Sequence, residues 1–244
     1  MHNIVIMLKK IICMRYIQLD FIRGVAIVLM VIFHISFDLN NFHFISIDIY
    51  NQHSKDWFYF RMLILSLFML SVGISLSLTH EKGIDLKKAL KRFYMLALAS
   101  SAISIASYVT FPHTWIYFGV IHFVTVASLI LLPFTKVPKV AFILGSGIVV
   151  LFNMGLIDMH WFFQQSASFL HLPHHTEDLV PFTPWLGVVL IGIFLGAKKL
   201  FLFPLKENRF TTNISFLGKH SLAIYLLHQP LFFGLIAGVD YLVH

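Results

Sequence analysis

Seven apolar runs of about twenty residues each set the limits on what this chain can fold into. A helix needs roughly 20 such residues to cross the hydrocarbon core of a bilayer. The runs lie at 17–38, 57–79, 90–111, 115–134, 138–157, 182–203 and 220–242. They predict an all-α, polytopic membrane protein, a bundle of about seven transmembrane helices. Breaks at Phe111-Pro112-His113 and between Pro133 and Pro138 separate the third, fourth and fifth runs, because proline and polar residues favour turns. Composition agrees. Of 244 residues, 58% are hydrophobic and 12% charged, about half the charge of a water-facing globule.

Orientation follows from the basic residues. With the N-terminus inside, sixteen of the 18 Lys and Arg fall on the cytoplasmic side, and only Lys55 and Arg61 fall on the other. This is the bias expected of a cytoplasmic N-terminus and an external C-terminus. Residues 1–16 (MHNIVIMLKKIICMRY) form a short basic extension, broken by Lys9 and Lys10 and lacking a small-residue cleavage site. A cleaved signal peptide is therefore not expected, and translation starts at Met1 or Met14. The membrane domain is expected over 17–244. A single cysteine, Cys13, excludes an internal disulfide framework. The net charge of +7 does not point to nucleic acid, since the basic residues sit between apolar runs without interleaved exposed aromatics.

The two long loops on the far side, near 39–56 and 158–181, concentrate histidine and carboxylate: His43, His53, His160, His171, His174 and His175 with Asp48, Asp56, Asp158, Glu177 and Asp178. HLPHHTED at 171–178 has the donors of a zinc or copper site, but HExxH is absent, and no metal is expected. Lys87, Lys88, Lys91, Arg92, Lys198 and Lys199 read first as topology signals and second as an attraction for an anionic cofactor on the inner face.

The first run carries the most chemistry. In LDFIRGVAIVLMVIFHISFDL, Asp20, Arg23, His34 and Asp38 fall within about 60° of one another at 100° per residue. Charged groups are expensive in lipid, so this stripe should face the bundle interior or a watery cavity. Asp20 and Arg23 can pair at the inner end. Near the outer end, Asp38 can orient His34 and stabilise its charged form, as a general base requires. Arg61, His122 and His228 are isolated polar groups on other helices, and Pro230 frees a carbonyl close to His228.

LDFIRGVAIVLMVIFH resembles the first-helix signature of membrane acyltransferases. FMLSVGISLSL at 68–78, WIYFGVIHFVTVASLI at 115–130, VPFTPWLGVVLIGIFLGA at 180–197 and LGKHSLAIYLLHQPL at 217–231 resemble bacterial heparan-α-glucosaminide N-acetyltransferase-like membrane proteins. The resemblance runs in order over roughly 15–235. It implies transfer of an acetyl group from cytosolic acetyl-CoA, as donor substrate, to an amino sugar or similar acceptor across the membrane. As the active histidine it implies His34 or His53. The residues themselves add Asp38 to orient His34, Arg61 near the same outer mouth, His122 and His228 for proton transfer, and Asp20 and Arg23 toward the donor.

The partners expected are the lipid bilayer, acetyl-CoA and a glycan or amino-sugar acceptor; a homodimer is compatible with the sequence. The location expected is a bacterial cytoplasmic membrane. Three other readings stay open beside this one: an O-acyltransferase of envelope glycans, a small-solute transporter or exporter, and a structural or assembly membrane protein whose buried polar groups fix helix register.

Overall fold

The computed structural model of the protein describes residues 16–47, 55–173 and 175–243. Three long helices open the fold: α1 (Ile17–Asn41), α2 (Lys55–Thr79) and α3 (Leu86–Thr110). Then come α4 (Val120–Ile130), a 3₁₀ turn (Leu132–Lys136), α5 (Pro138–Asn153), α6 (His160–Leu170), α7 (Trp185–Ala197), α8 (Arg209–Lys219) and α9 (Ser221–Val243). The predicted breaks fall where proline and polar residues put them. Thr110 ends α3 just before Pro112, and Pro138 opens α5 at a position where its missing N–H is no loss. Asp85 caps α3 by accepting the Lys88 N–H at 3.1 Å.

Helices α1, α2, α3 and α9 are long and apolar enough to cross a membrane. Helices α4, α5 and α7 are apolar but shorter. Three of the expected spans are therefore trimmed. The run at 115–134 becomes helix only from Val120, that at 138–157 stops at Asn153, and that at 182–203 keeps only 185–197. Helices α6 and α8 were not foreseen, because they lie inside segments that read as loops.

The seven apolar helices alternate between two ends among the described residues. At the basic end, Lys199 pairs with Glu81 at 3.2 Å, and the rings of Tyr16 and Phe201 stack edge to face. At the opposite end, Thr114 donates to Glu177 at 2.6 Å, Glu177 N–H bonds the Thr114 carbonyl, and Phe118 bridges Leu179. Phe233 of α9 stacks there on Phe42 and Phe111.

Helix α7 packs between α2 and α5 and forms the centre of the fold with Met69, Phe123, Ala127, Val189 and Ile193, all buried. Close approach rests on glycine. A Cβ on Gly192 would lie 2.5 Å from the Leu70 carbonyl oxygen, and one on Gly73 would strike the Val189 carbonyl. In lipid, helix association draws on such backbone contact rather than on hydrophobic burial. Helix α8 crosses α1 in the same manner, with Gly218 against the Asp20 carbonyl and Gly24 against that of Ile214. The crossing seats Ser221, the first residue of α9, beside α1 and so sets where α9 runs.

Candidate active site

Helix α9 is exposed along most of its length, and His228 is its one buried residue among those described. On α1, Asp38 is 1% exposed and Asp20 6%, whereas Ile32 is 48% exposed. Both helices thus turn apolar side chains such as Ile32 and Leu227 outward and keep Asp20, Asp38 and His228 buried, as a membrane demands. The stripe expected on α1 does face inward, against α8 and α9.

Four polar side chains meet where the two helices cross. The rings of His34 and His228 stand 4.9 Å apart between centroids and are inclined at 60°. One turn further, Gln229 Nε2 donates to Asp38 Oδ1 at 2.9 Å. The carboxylate expected to orient His34 is thus bonded to Gln229 instead, and the His34 ring makes no hydrogen bond among the described residues. Phe33 flanks it, packed in turn on Trp57 and Phe60 of α2.

His228 is the more strongly oriented histidine. Its Nδ1 lies 2.8 Å from the Tyr225 carbonyl oxygen. A carbonyl only accepts, so Nδ1 carries the proton and Nε2 presents a lone pair. That Nε2 is buried without a partner, as are Asp38 Oδ2 and Gln229 Oε1. Buried polar atoms are nearly always bonded in folded proteins. Three unpaired acceptors on adjacent side chains mark a place where donor groups of another molecule would be favoured. An amine or hydroxyl carries such donors.

The remaining sequence candidates are distributed elsewhere. His122 caps its own helix: Nδ1 accepts the Gly119 N–H at 3.3 Å, and Nε2 lies 2.9 Å from Ser104 Oγ, which donates to the Ile116 carbonyl. Both its nitrogens are occupied. Arg61 holds the 171–184 loop, 3.5 Å from the Leu179 carbonyl and 3.9 Å from Asp178. Asp178 also accepts the Val120 N–H at 3.1 Å, so it ties α2 and α4 to this loop. Burial pushes its carboxyl up, while Arg61 and the Val120 N–H hold it down. His53 lies outside the described residues.

Toward the basic end, Arg23 pairs with Asp20 at 3.5 Å. Arg23 also borders a cavity of about 210 Å³ with Arg92, Ser71, Ser221, Phe68 and Tyr225. Tyr225 links this cavity to the histidines, its ring centroid being 5.7 Å from that of His228. Sequence reasoning missed Gln229 and Tyr225, which show no periodic polar signal on α9. Arg92 it read only as one of a basic group, first a topology signal and second an attraction for an anionic cofactor, without singling it out.

Ionisable side chains gathered inside an all-helical, apolar-surfaced bundle define an integral membrane protein with a polar interior centre. The sequence model of the heparan-alpha-glucosaminide N-acetyltransferase catalytic domain matches residues 15–230. The chain belongs to that family, a family of membrane enzymes of the acetyltransferase kind. Searches among curated proteins and among solved structures returned no match.

Proposed function

We propose that this protein moves an acetyl group from acetyl-CoA, entering from a cytosolic basic end, to an amino sugar or similar amine at the opposite end. The reading takes all seven apolar helices as membrane spans, with the N-terminus inside. The observation that carries it is the His34–His228 pair, whose His228 Nε2 lone pair is buried and unpaired beside a half-buried second imidazole. Such a pair has no evident purpose as a helix contact, since an apolar contact would join α1 to α9 without burying unpaired acceptors.

The acceptor nitrogen attacks the thioester carbonyl, the C–N bond forms, and the C–S bond breaks. His228 Nε2 takes the proton released by the nitrogen and returns it to the CoA thiolate. His34 either steadies the acceptor or takes the acetyl group first as acetyl-imidazole, which the amine then opens. Asp38 Oδ2 and Gln229 Oε1 accept the donor hydrogens of the acceptor. Either route yields one amide and one thiol.

The test is purified protein in liposomes, given acetyl-labelled acetyl-CoA and a panel of amino sugars on opposite sides. Label on the sugar, on the side away from the donor, is the expected result. Flux of a solute without consumption of acetyl-CoA would replace the enzyme reading by a transporter.

A further inference from the structure

Arg92 lies on the buried face of α3. Ala89, Leu96 and Ala99 are buried, and Arg92 falls in phase with them at spacings of three and four residues. Its neighbours Lys87, Lys88 and Lys91 are exposed. The guanidinium donates to Ser75 Oγ at 3.3 Å, and among the described residues it has no carboxylate partner. Arg23 faces the same cavity from α1, where Asp20 offsets its charge. Arg92 thus brings to the cavity a positive charge that no carboxylate among the described residues offsets. An isolated charge there is costly, and an anion between the arginines removes the cost. A phosphate matches the planar, bidentate donors of arginine.

Depth adds to this. Arg23 is six residues into α1 and Arg92 six into α3, so both lie about 9 Å in from the basic end at 1.5 Å per residue. His34 is about 16 Å further along α1. An extended pantetheine arm covers that kind of distance, and Tyr225 borders both the cavity and His228.

We propose that Arg23 and Arg92 form a phosphate-binding site. It anchors a phosphorylated ligand at the basic end, with the thioester end directed past Tyr225 to the histidine pair. The identification of that ligand as the acyl donor rests on the function proposed above. The phosphate chemistry does not, because an anionic lipid headgroup offers the same group. Arg92 has no direct part in the acetyl transfer on this reading; it is a binding residue.

The experiment is equilibrium binding of labelled CoA and of labelled pantetheine to the full chain in neutral detergent, alongside retention of labelled phosphatidylglycerol. Wild type is compared with Arg92→Gln and Arg92→Lys, each checked for a monodisperse elution profile. The expected result is at least a tenfold weaker CoA affinity in Arg92→Gln, partial recovery in Arg92→Lys, and pantetheine binding unchanged. In turnover assays the same change should raise KM for the donor more than it lowers kcat. Loss of phosphatidylglycerol retention with CoA binding intact would keep the phosphate site and make lipid its occupant. Unchanged binding of both in Arg92→Gln overturns the proposal. Binding needs no acetyl transfer. A protein that binds CoA through Arg92 but acetylates nothing would sink the proposed enzyme and leave this site standing.

Discussion

Gln229 and Asp38, 191 residues apart in the chain, are joined by a 2.9 Å hydrogen bond between the last and first helices. Asp38 accepts it with one oxygen while the other stays buried and unpaired. Hydrogen bonds to a charged group contribute about 1.5–3 kcal/mol net. Removing Gln229 would strand the carboxylate, whereas removing both partners would not. Gln229→Leu should therefore lower stability more than the double change Asp38→Asn with Gln229→Leu. Unfolding in mild detergent, read by a double-mutant cycle, should show a coupling of about 1 kcal/mol or more. Strict additivity would mean the bond is not formed in solution.

The two histidines should be separable by their chemistry. A general base contributes about 10²–10⁴ in rate, so His228→Asn should lower kcat by about that factor with little change in donor affinity. His34→Asn tests the second route. If His34 carries the acetyl group, protein quenched in acid without acceptor shows an added acetyl mass on wild type and none on His34→Asn. If transfer is direct, no adduct forms, and His34→Asn raises KM for the acceptor instead.

The α1–α8 crossing admits no side chain at Gly24 or Gly218, where an added Cβ would run into opposing backbone. Overpacking in a well-packed interior costs about 1–3 kcal/mol, sometimes more. Gly24→Val should lower the midpoint of thermal unfolding in detergent. It should also disturb the seating of α9 and so reduce acetyl transfer. Gly234→Val, at a site open on all sides, should leave the unfolding midpoint unchanged and serves as the control.

Much of this fold is legible before any coordinates, and the reasons are physical. Seven apolar runs and a one-sided distribution of lysine reflect the cost of charge in lipid, a constraint each segment feels alone. The stripe on α1 is legible for the same reason. His228 is different. Helix α9 buries one residue and has no amphipathic phase, so its partner is set by how α8 crosses α1, a tertiary fact. Arg92 sits in a run of four basic residues, of which it alone among 87, 88, 91 and 92 escapes full exposure. A positive-inside count treats the four alike. The shorter helix α4 differs from its run because Phe118 pairs with Leu179 as extended chain and Asp178, from a distant loop, takes the Val120 N–H at its start.

At the basic end, acid should loosen the turn between α2 and α3. His80 is 3% exposed, and its Nδ1 accepts the Asp85 N–H at 3.1 Å. Burial holds its pKa below the ordinary 6.5; the Asp85 charge and a hydrogen bond to the Gly83 backbone oppose this, and Arg92 and Lys88 reinforce it. The folded protein therefore keeps this imidazole neutral where the unfolded chain already binds a proton. Stability rises with pH wherever the unfolded state holds more protons. The contribution of His80 is present in full above about pH 6.5, where both states are neutral, and is lost as pH falls below that value. Protonation also removes the lone pair that takes the Asp85 amide. Hydrogen exchange at Asp85, corrected for the intrinsic rate, should lose protection as pH falls below the ordinary 6.5 of histidine. His80→Gln should flatten that profile, since an amide oxygen accepts the same N–H without titrating. A profile unchanged by His80→Gln would assign the loss to another group.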